Sequence, residues 1–291
     1  MKLIKPSFEI WEQPAGLEGV YKQIEKVGRV CYKSEDKITE DSAKPFVDRM
    51  IKSGHGAMLE HGTVYLKFET LTRAEKYLNN KYSEVRTCYG SFYVTTNLRV
   101  LVENGWLDDL QYICEPTEYH ERRVTVHFVC DRGVSHEFVR HRVMSFAQES
   151  TRYCNYSKDK FGNELTFIIP CWLDVPTGHY AYWDGDWCNI DKMKIQLPEG
   201  EHKDIDAFLR TLNNAETHYT LLINSGWKPQ EARAVLPNSL KTELVVTGFT
   251  SDWNHFFDLR ARGTTGAPHP QAKELAEPLM KEFIARKYIN N

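Results

Sequence analysis

Arg140, Arg142 and Arg152 fall in one stretch, Ser135 to Tyr153, with His141, Ser145, Gln148 and Ser150 between them. Arginine presents a planar fork of donors that matches phosphate and carboxylate oxygens, and it stays charged at any working pH. Serine, threonine and glutamine add neutral donors and acceptors suited to a base or a sugar. Three guanidinium groups this close repel one another unless an anion neutralises them, so the pattern points to an anionic ligand. The competing reading is a solvated basic turn paired to Glu137 and Glu149, the usual fate of a charge run. Two features favour a site. The Arg140-His141-Arg142 triplet follows the apolar pair Phe138-Val139, where the chain leaves the interior, and the polar run after it lacks the Gly, Pro or Asn of an ordinary turn.

Two further constellations carry chemistry. His55 and His61 flank Glu60, which invites a metal, but zinc helices need their histidines at i and i+4 on one face. The separation here, with Gly54 and Gly56 in the same run, predicts a loop whose polar side chains face a pocket, and no metal. In the last third, Arg233 ends a short segment closed by Pro237, and Arg260 precedes a Gly-rich loop leading to His269 and Gln271. Each of these arginines alone would read as a surface ion pair. Ser150 has no His–carboxylate pair evident in sequence to activate it, so it is assigned to binding rather than attack.

Hydrophobic periodicity supplies the elements that must hold these residues. Helical spacing runs over 15–33, 41–53, 133–142, 205–225 and the C-terminal stretch around Leu275, Leu279 and Phe283. Alternation predicts strands at 62–69, 124–130, 165–170 and 240–249. Residues 70–90 read as partly helical, Thr95-Thr96-Asn97 as the cap of a helix ending at Gly105, and Ser251 or Asp252 as the cap of a helix through Arg260. Residues 172–200 show no clear period. On a helix, three consecutive residues fan over roughly 200°. If Arg140, His141 and Arg142 are helical they cannot all face one ligand, which favours two bound groups or a site shared between subunits.

The whole chain narrows the classes. Its 291 residues suffice for a sizeable core. A net charge of −3 argues against a broad nucleic-acid footprint, so an RNA-binding module is disfavoured despite 7 Trp, 15 Tyr and 14 Phe. No apolar run approaches a membrane span, and the start has no apolar leader. The seven cysteines, odd in number and without a Cys-x-x-Cys pair, fit reduced thiols in a cytoplasmic protein.

Four blocks in order resemble the flavin-dependent thymidylate synthases. They are Gly54-His55 with Glu60-His61; Arg140-His141-Arg142 through Ser145 to Ser150-Thr151-Arg152-Tyr153; Arg233-x-x-Leu236-Pro237; and Phe256-x-x-Leu259-Arg260 followed by His269-x-Gln271. The resemblance implies a mixed α/β (α+β) single domain over 1–291, with a central, mostly antiparallel sheet flanked by helices, assembled as a homotetramer with active sites between subunits. Residues 70–123 and 158–204 read as expansions. It implies reductive methylation of dUMP, with 5,10-methylenetetrahydrofolate as carbon donor, FAD reduced by NADPH as hydride carrier, and no Cys nucleophile. A family member that has lost flavin chemistry and only binds nucleotide is the competing reading.

Carried over by position, Glu137, Arg140, Gln148, Ser150, Thr151, Arg152 and Arg233 would hold dUMP, and Arg260 would stabilise the N3-deprotonated uracil as the catalytic group. Ala57, Arg140, His141, Arg142, Gln148 and His255 would touch FAD. His55, Tyr153 and His269 would face the folate and NADPH. The chain departs from the family's pattern at Ala57, where a Thr is common, and at Ala147-Gln148, where many members have Asn-Glu. It departs again at Phe249, Ser251 and His255, where other members place Asn and Arg residues on the flavin.

Overall fold

The computed structural model describes residues 1–183, 186–192 and 203–290. The chain opens with two strands, β1 (Lys2–Ile4) and β2 (Ser7–Trp11). Helix α1 (Gly16–Tyr32) follows, and its buried Val20, Ile24, Val27 and Val30 realise the expected stripe. After α2 (Ala43–Lys52) comes a single turn, α3 (Gly56–Leu59), inside the expected loop. Strand β3 (Thr63–Phe68) and, after helix α4 (Leu71–Leu78), the hairpin β4 (Glu84–Cys88) and β5 (Ser91–Asn97) form a three-stranded antiparallel sheet in the order β3-β5-β4.

The helical expectation for 70–90 thus holds only in its first half. Tyr89 and Gly90, both with positive φ, form the tight turn that reverses the chain. Thr95 and Thr96 lie on β5, and Asn97 alone caps α5 (Leu98–Asn104), its side chain accepting from Val100 N–H.

The central sheet takes shape with β6 (Arg123–Asp131), which leads into α6 (Arg132–Phe138). The helix expected over 133–142 therefore ends early, and Arg140, His141 and Arg142 lie beyond it. Arg260 Nη2 donates to the Glu137 carbonyl at 2.8 Å. That oxygen would take the His141 N–H were the helix to continue, so the fan of three residues on a helix does not form. Strand β7 (Ser145–Gln148) follows, an element the sequence reading left unassigned.

Strands β8 (Thr166–Ile168), β9 (Gly178–Trp183) and β10 (Asp186–Asn189) join β1 in a second four-stranded sheet. The expansion at 158–204 and the aperiodic run 172–200 lie partly outside the described residues. Helix α7 (Lys203–Asn224) packs its Leu209, Leu212 and Tyr219 on this sheet. After α8 (Pro229–Ala232) come β11 (Lys241–Phe249), α9 (Thr250–Phe257) and α10 (Pro270–Ala285). The α9 cap differs from expectation. The helix starts at Thr250, and the Asp252 carboxylate accepts from Phe249 N–H.

The central sheet runs β2-β6-β11-β7, antiparallel throughout. Among the described strands only β1 and β8 pair in parallel. One face of the sheet (Val126, Phe128, Leu244, Val246) packs on Trp253, Phe256, Phe257 and Phe283 of α9 and α10. On the other, Trp11, Ala147 and Val245 meet Val27 and Val30 of α1.

That second face also carries a line of charges. Glu149 accepts from Tyr156 Oη and Lys241 Nζ, each at 2.8 Å. Lys241 bridges on to Glu243, which also meets Lys33 at 2.8 Å and His127 at 2.9 Å. Burial alone would raise the Glu243 pKa, but His127, Lys241 and Lys33 outweigh it and hold the carboxyl far below its usual range. The stability this provides is complete above the ordinary glutamate pKa of about 4.3 and is lost as pH falls below it.

Candidate active site

Arg260 stands at the centre of the most closely bonded group. It lies in Asp258–Arg262, where the helix after α9 widens to π geometry, a bulge frequent at functional sites. Its Nη1 donates to Glu137 Oε2 at 2.6 Å, its Nη2 to the Glu137 carbonyl, and its Nε to His141 Nε2 at 3.3 Å. Three of a guanidinium's five N–H groups are thereby fixed, and two remain for a ligand. The side chain is half-buried, so its charge is only partly screened.

His141 accepts from Arg260 and is therefore neutral. Burial first, then the charge of Arg260 and the neighbouring His255, depress its pKa to about 4. The His255 ring lies 5.7 Å away and the Phe256 ring 5.0 Å away. His61 is likewise depressed, to about 3, by burial and by Arg123. In the unfolded chain both imidazoles take up protons near pH 6.5, so folding stability falls as pH drops from there toward 4. Neither ring should titrate near pH 6.5 in a histidine NMR titration; a midpoint of 6 or above for His141 would show that the Arg260 contact does not form.

A second group gathers at the end of β7. Thr151 is buried and its Oγ1 accepts from Arg233 Nη1 at 3.3 Å. Arg152 is exposed and donates through Nε to Gln230 at 3.2 Å. Ser150 Oγ accepts from the Arg152 N–H, and its own N–H binds the Cys31 carbonyl. The backbone thus presents Ser150, Thr151 and Arg152 at the end of a sheet strand, with Arg233 brought from the turn after α8. Gln148, the last residue of β7, bonds to neither group. Its amide N–H groups donate to Ser135 Oγ on α6 and Thr242 Oγ1 on β11, so only its carbonyl remains for a ligand.

Arg140 and Arg142 are exposed, and among the described residues neither guanidinium has a protein partner. Arg142 lines a cleft of about 270 Å³ together with Glu60, Arg99, Arg123, Ser145, Phe249 and Ser251. The other early-block residues separate. His61 is fully buried and bonds Thr247 at 2.8 Å, His55 and Ala57 are exposed, and Glu60 pairs with Arg99 at 2.5 Å. His55, Glu60 and His61 therefore do not converge on a common point. Tyr153 and His269 are exposed too, Tyr153 beside Tyr32 and His269 beside Trp172, and neither contacts the Arg260 group. Arg99 and Arg123 escaped the sequence reading. Arg99 sits in the stretch read as an expansion, and nothing in its spacing marks it; only the hairpin brings it over Gly56 and Glu60.

Among the described residues no helix is long and apolar enough to cross a membrane, and all seven cysteines are free thiols. The family model of the thymidylate synthase complementing protein matches residues 82–286. A flavin-dependent thymidylate synthase of Corynebacterium aurimucosum is 23% identical over 274 residues, covering 93% of this chain and 78% of that protein. Another, from Thermococcus onnurineus, is 30% identical over 132 residues, 45% of this chain and 43% of the relative. A crystal structure of the UMP/dUMP methylase PolB from Streptomyces cacaoi, bound with 5-Br dUMP, aligns over 98% of this chain and 93% of that one. Its identity is 17% and its TM-score 0.45.

Proposed function

The chain belongs to the thymidylate synthase complementing protein family, and we propose that it acts as a flavin-dependent thymidylate synthase, methylating dUMP to dTMP. The observation that carries this reading is the Arg260–Glu137–His141 group, which lies within the segment the family model matches. Reduced FAD supplies the hydride in this reading; methylenetetrahydrofolate supplies the carbon, and NADPH the reducing equivalents.

The chain's own residues do the rest. A uracil ring losing its N3 proton develops negative charge on N3 and the adjacent carbonyls. A guanidinium already anchored at three points, with two N–H groups to spare, stabilises that charge without reorganising. Neutral His141 fixes the arginine without adding a competing positive charge. Arg260 cannot itself take the proton, because it stays charged at any working pH. The nucleotide phosphate falls to Arg152 and Arg233, with Ser150 and Thr151 adding neutral donors, and Arg140 reaches the same ligand from outside.

The residues present also fit a flavin. Arg142 has no protein partner among the described residues, and the buried Nε of Arg123 has none either. Both residues line the cleft that reaches the first turn of α9, and His255 lies one turn further along that helix. His55, Tyr153 and His269, all exposed, fall to the folate and nicotinamide side. A homotetramer in the cytoplasm completes the reading. The exposed Tyr153, Trp172 and Trp227 and the two outward arginines are what subunit contacts and shared sites would cover.

The nucleotide assignment is tested by calorimetry with dUMP. Arg233→Ala should weaken binding about tenfold to a hundredfold, the loss of a charge-assisted hydrogen bond or two. Affinity equal to that of the unaltered protein would remove Arg233 from the site.

A further inference from the structure

We infer that Arg99 and Arg123, which lie outside every motif block, hold the adenylate phosphate of the flavin dinucleotide, the phosphate that FMN lacks, in the cleft beside Arg142. The inference rests on the flavin reading above and names residues that reading does not supply. It starts from a deficit. Where the start of α9 lines the cleft it offers Phe249, Ser251 and Asp252, none of them a cation. A pyrophosphate needs cationic donors from somewhere.

The cleft provides them from a different element. Arg99 sits in the first turn of α5, just after the β4–β5 hairpin, and its side chain lies against Gly56; a methyl group on Gly56 would fall 2.9 Å from Arg99 Nε. Two of its N–H groups are held by carboxylates, Nε by Glu103 at 2.7 Å and Nη1 by Glu60 at 2.5 Å. Its Nη2 makes no bond to any described residue. Arg123 enters from β6. Its Nη1 donates to the Glu60 carbonyl at 3.0 Å and to Thr63 Oγ1 at 3.2 Å, while its Nε is buried with no partner. A buried guanidinium N–H left unpaired is costly, and Arg123 lines the cleft, so an anion bound there would offset the charge of its guanidinium.

The cleft's composition suits this end of the ligand. Phe249 gives it an aromatic wall for a base, and three of its four carboxylates are engaged, Glu60 and Glu103 by Arg99 and Asp252 by a backbone N–H, while the fourth, Glu84, is exposed and is offset by Lys81 in the same lining. Ser251 lines the cleft, and His255, about 6 Å further along the same helix, adjoins His141, which accepts from Arg260. A ligand lying along α9 with its phosphates in the cleft therefore directs its other end toward Arg260.

The test compares FAD with FMN, which lacks the second phosphate and the adenosine. Dissociation constants are measured by flavin fluorescence on the apoprotein and on Arg99→Gln, with melting midpoints confirming that both fold. Arg99→Gln should raise the FAD Kd about tenfold to a hundredfold and leave the FMN Kd within about twofold, and Arg99→Lys should recover part of the loss. An Arg99→Gln FAD Kd equal to the unaltered protein's overturns the inference while leaving the flavin reading intact. An equal loss for FMN also overturns it, because the arginine would then act on the shared part of the cofactor or on the fold. An effect confined to the KM for NADPH assigns the cleft to the nicotinamide dinucleotide and overturns it too. An unaltered protein that binds neither flavin removes the family reading itself.

Discussion

Arg260→Ala is expected to lower kcat for dTMP formation roughly a hundredfold to a thousandfold while FAD stays bound, the size of loss seen when a preorganised donor to developing negative charge is removed. Three fixed bonds make Arg260 such a donor. Glu137 and His141 hold the guanidinium through all three nitrogens, so its two free N–H groups are fixed in place before any substrate arrives. Arg260→Lys keeps the charge but loses the fork, and it should recover only a small part of the rate. The effect should fall on kcat more than on the affinity for dUMP, since the interaction strengthens only as the ring ionises. Glu137 is partly exposed, so its release costs little stability, and the variant should melt within a few degrees of the parent. Turnover equal to the parent's would take Arg260 out of the chemistry.

The largest loss of stability should come from Lys241→Met. Glu149 is almost wholly buried and depends on Lys241 and Tyr156; with Lys241 gone, its carboxylate keeps one neutral partner. Leaving a buried charge unpaired costs about 3–5 kcal/mol, which lowers Tm by roughly 10 °C in a chain of this size. Glu243 keeps Lys33 and His127, so the defect should centre on Glu149. Adding Glu149→Gln to Lys241→Met should therefore recover part of the loss, because the amide removes the unpaired charge. A melting curve for Lys241→Met that overlays the parent's would show that the charge line contributes nothing to folding. Because Glu149 precedes Ser150, the same network also sets the backbone from which the proposed phosphate contacts extend.

Much of this architecture was legible from periodicity. The stripes of α1, α7 and α10 and the alternation of β3, β6 and β11 are strong local signals, and each of these elements forms where expected. The failures have tertiary causes. The helix into the arginine stretch stops at Phe138 because a residue far along the chain, Arg260, captures the Glu137 carbonyl. No window around residue 138 carries that information. The β4–β5 hairpin turns on Tyr89-Gly90, and the polar, Tyr-rich composition of 70–90 concealed β4, whose side chains are mostly exposed.

The candidate site divides in the same way. Arg260, His141 and Glu137 come together, as do Thr151 and Arg233, from motifs more than eighty residues apart. Arg99 and Arg123 carry no such mark in sequence, since an arginine beside a strand end reads first as a surface ion pair. Their relation to Arg142 exists only once the hairpin sheet is docked against the central one.

The most direct test reduces the FAD-loaded protein anaerobically with NADPH, adds dUMP and methylenetetrahydrofolate, and follows the flavin absorbance while dTMP is quantified. The account predicts that the flavin bands bleach on reduction and return only when both substrates are present, with dTMP formed in proportion to flavin reoxidised. A protein that takes up FAD and is reduced, yet yields no dTMP, would contradict it.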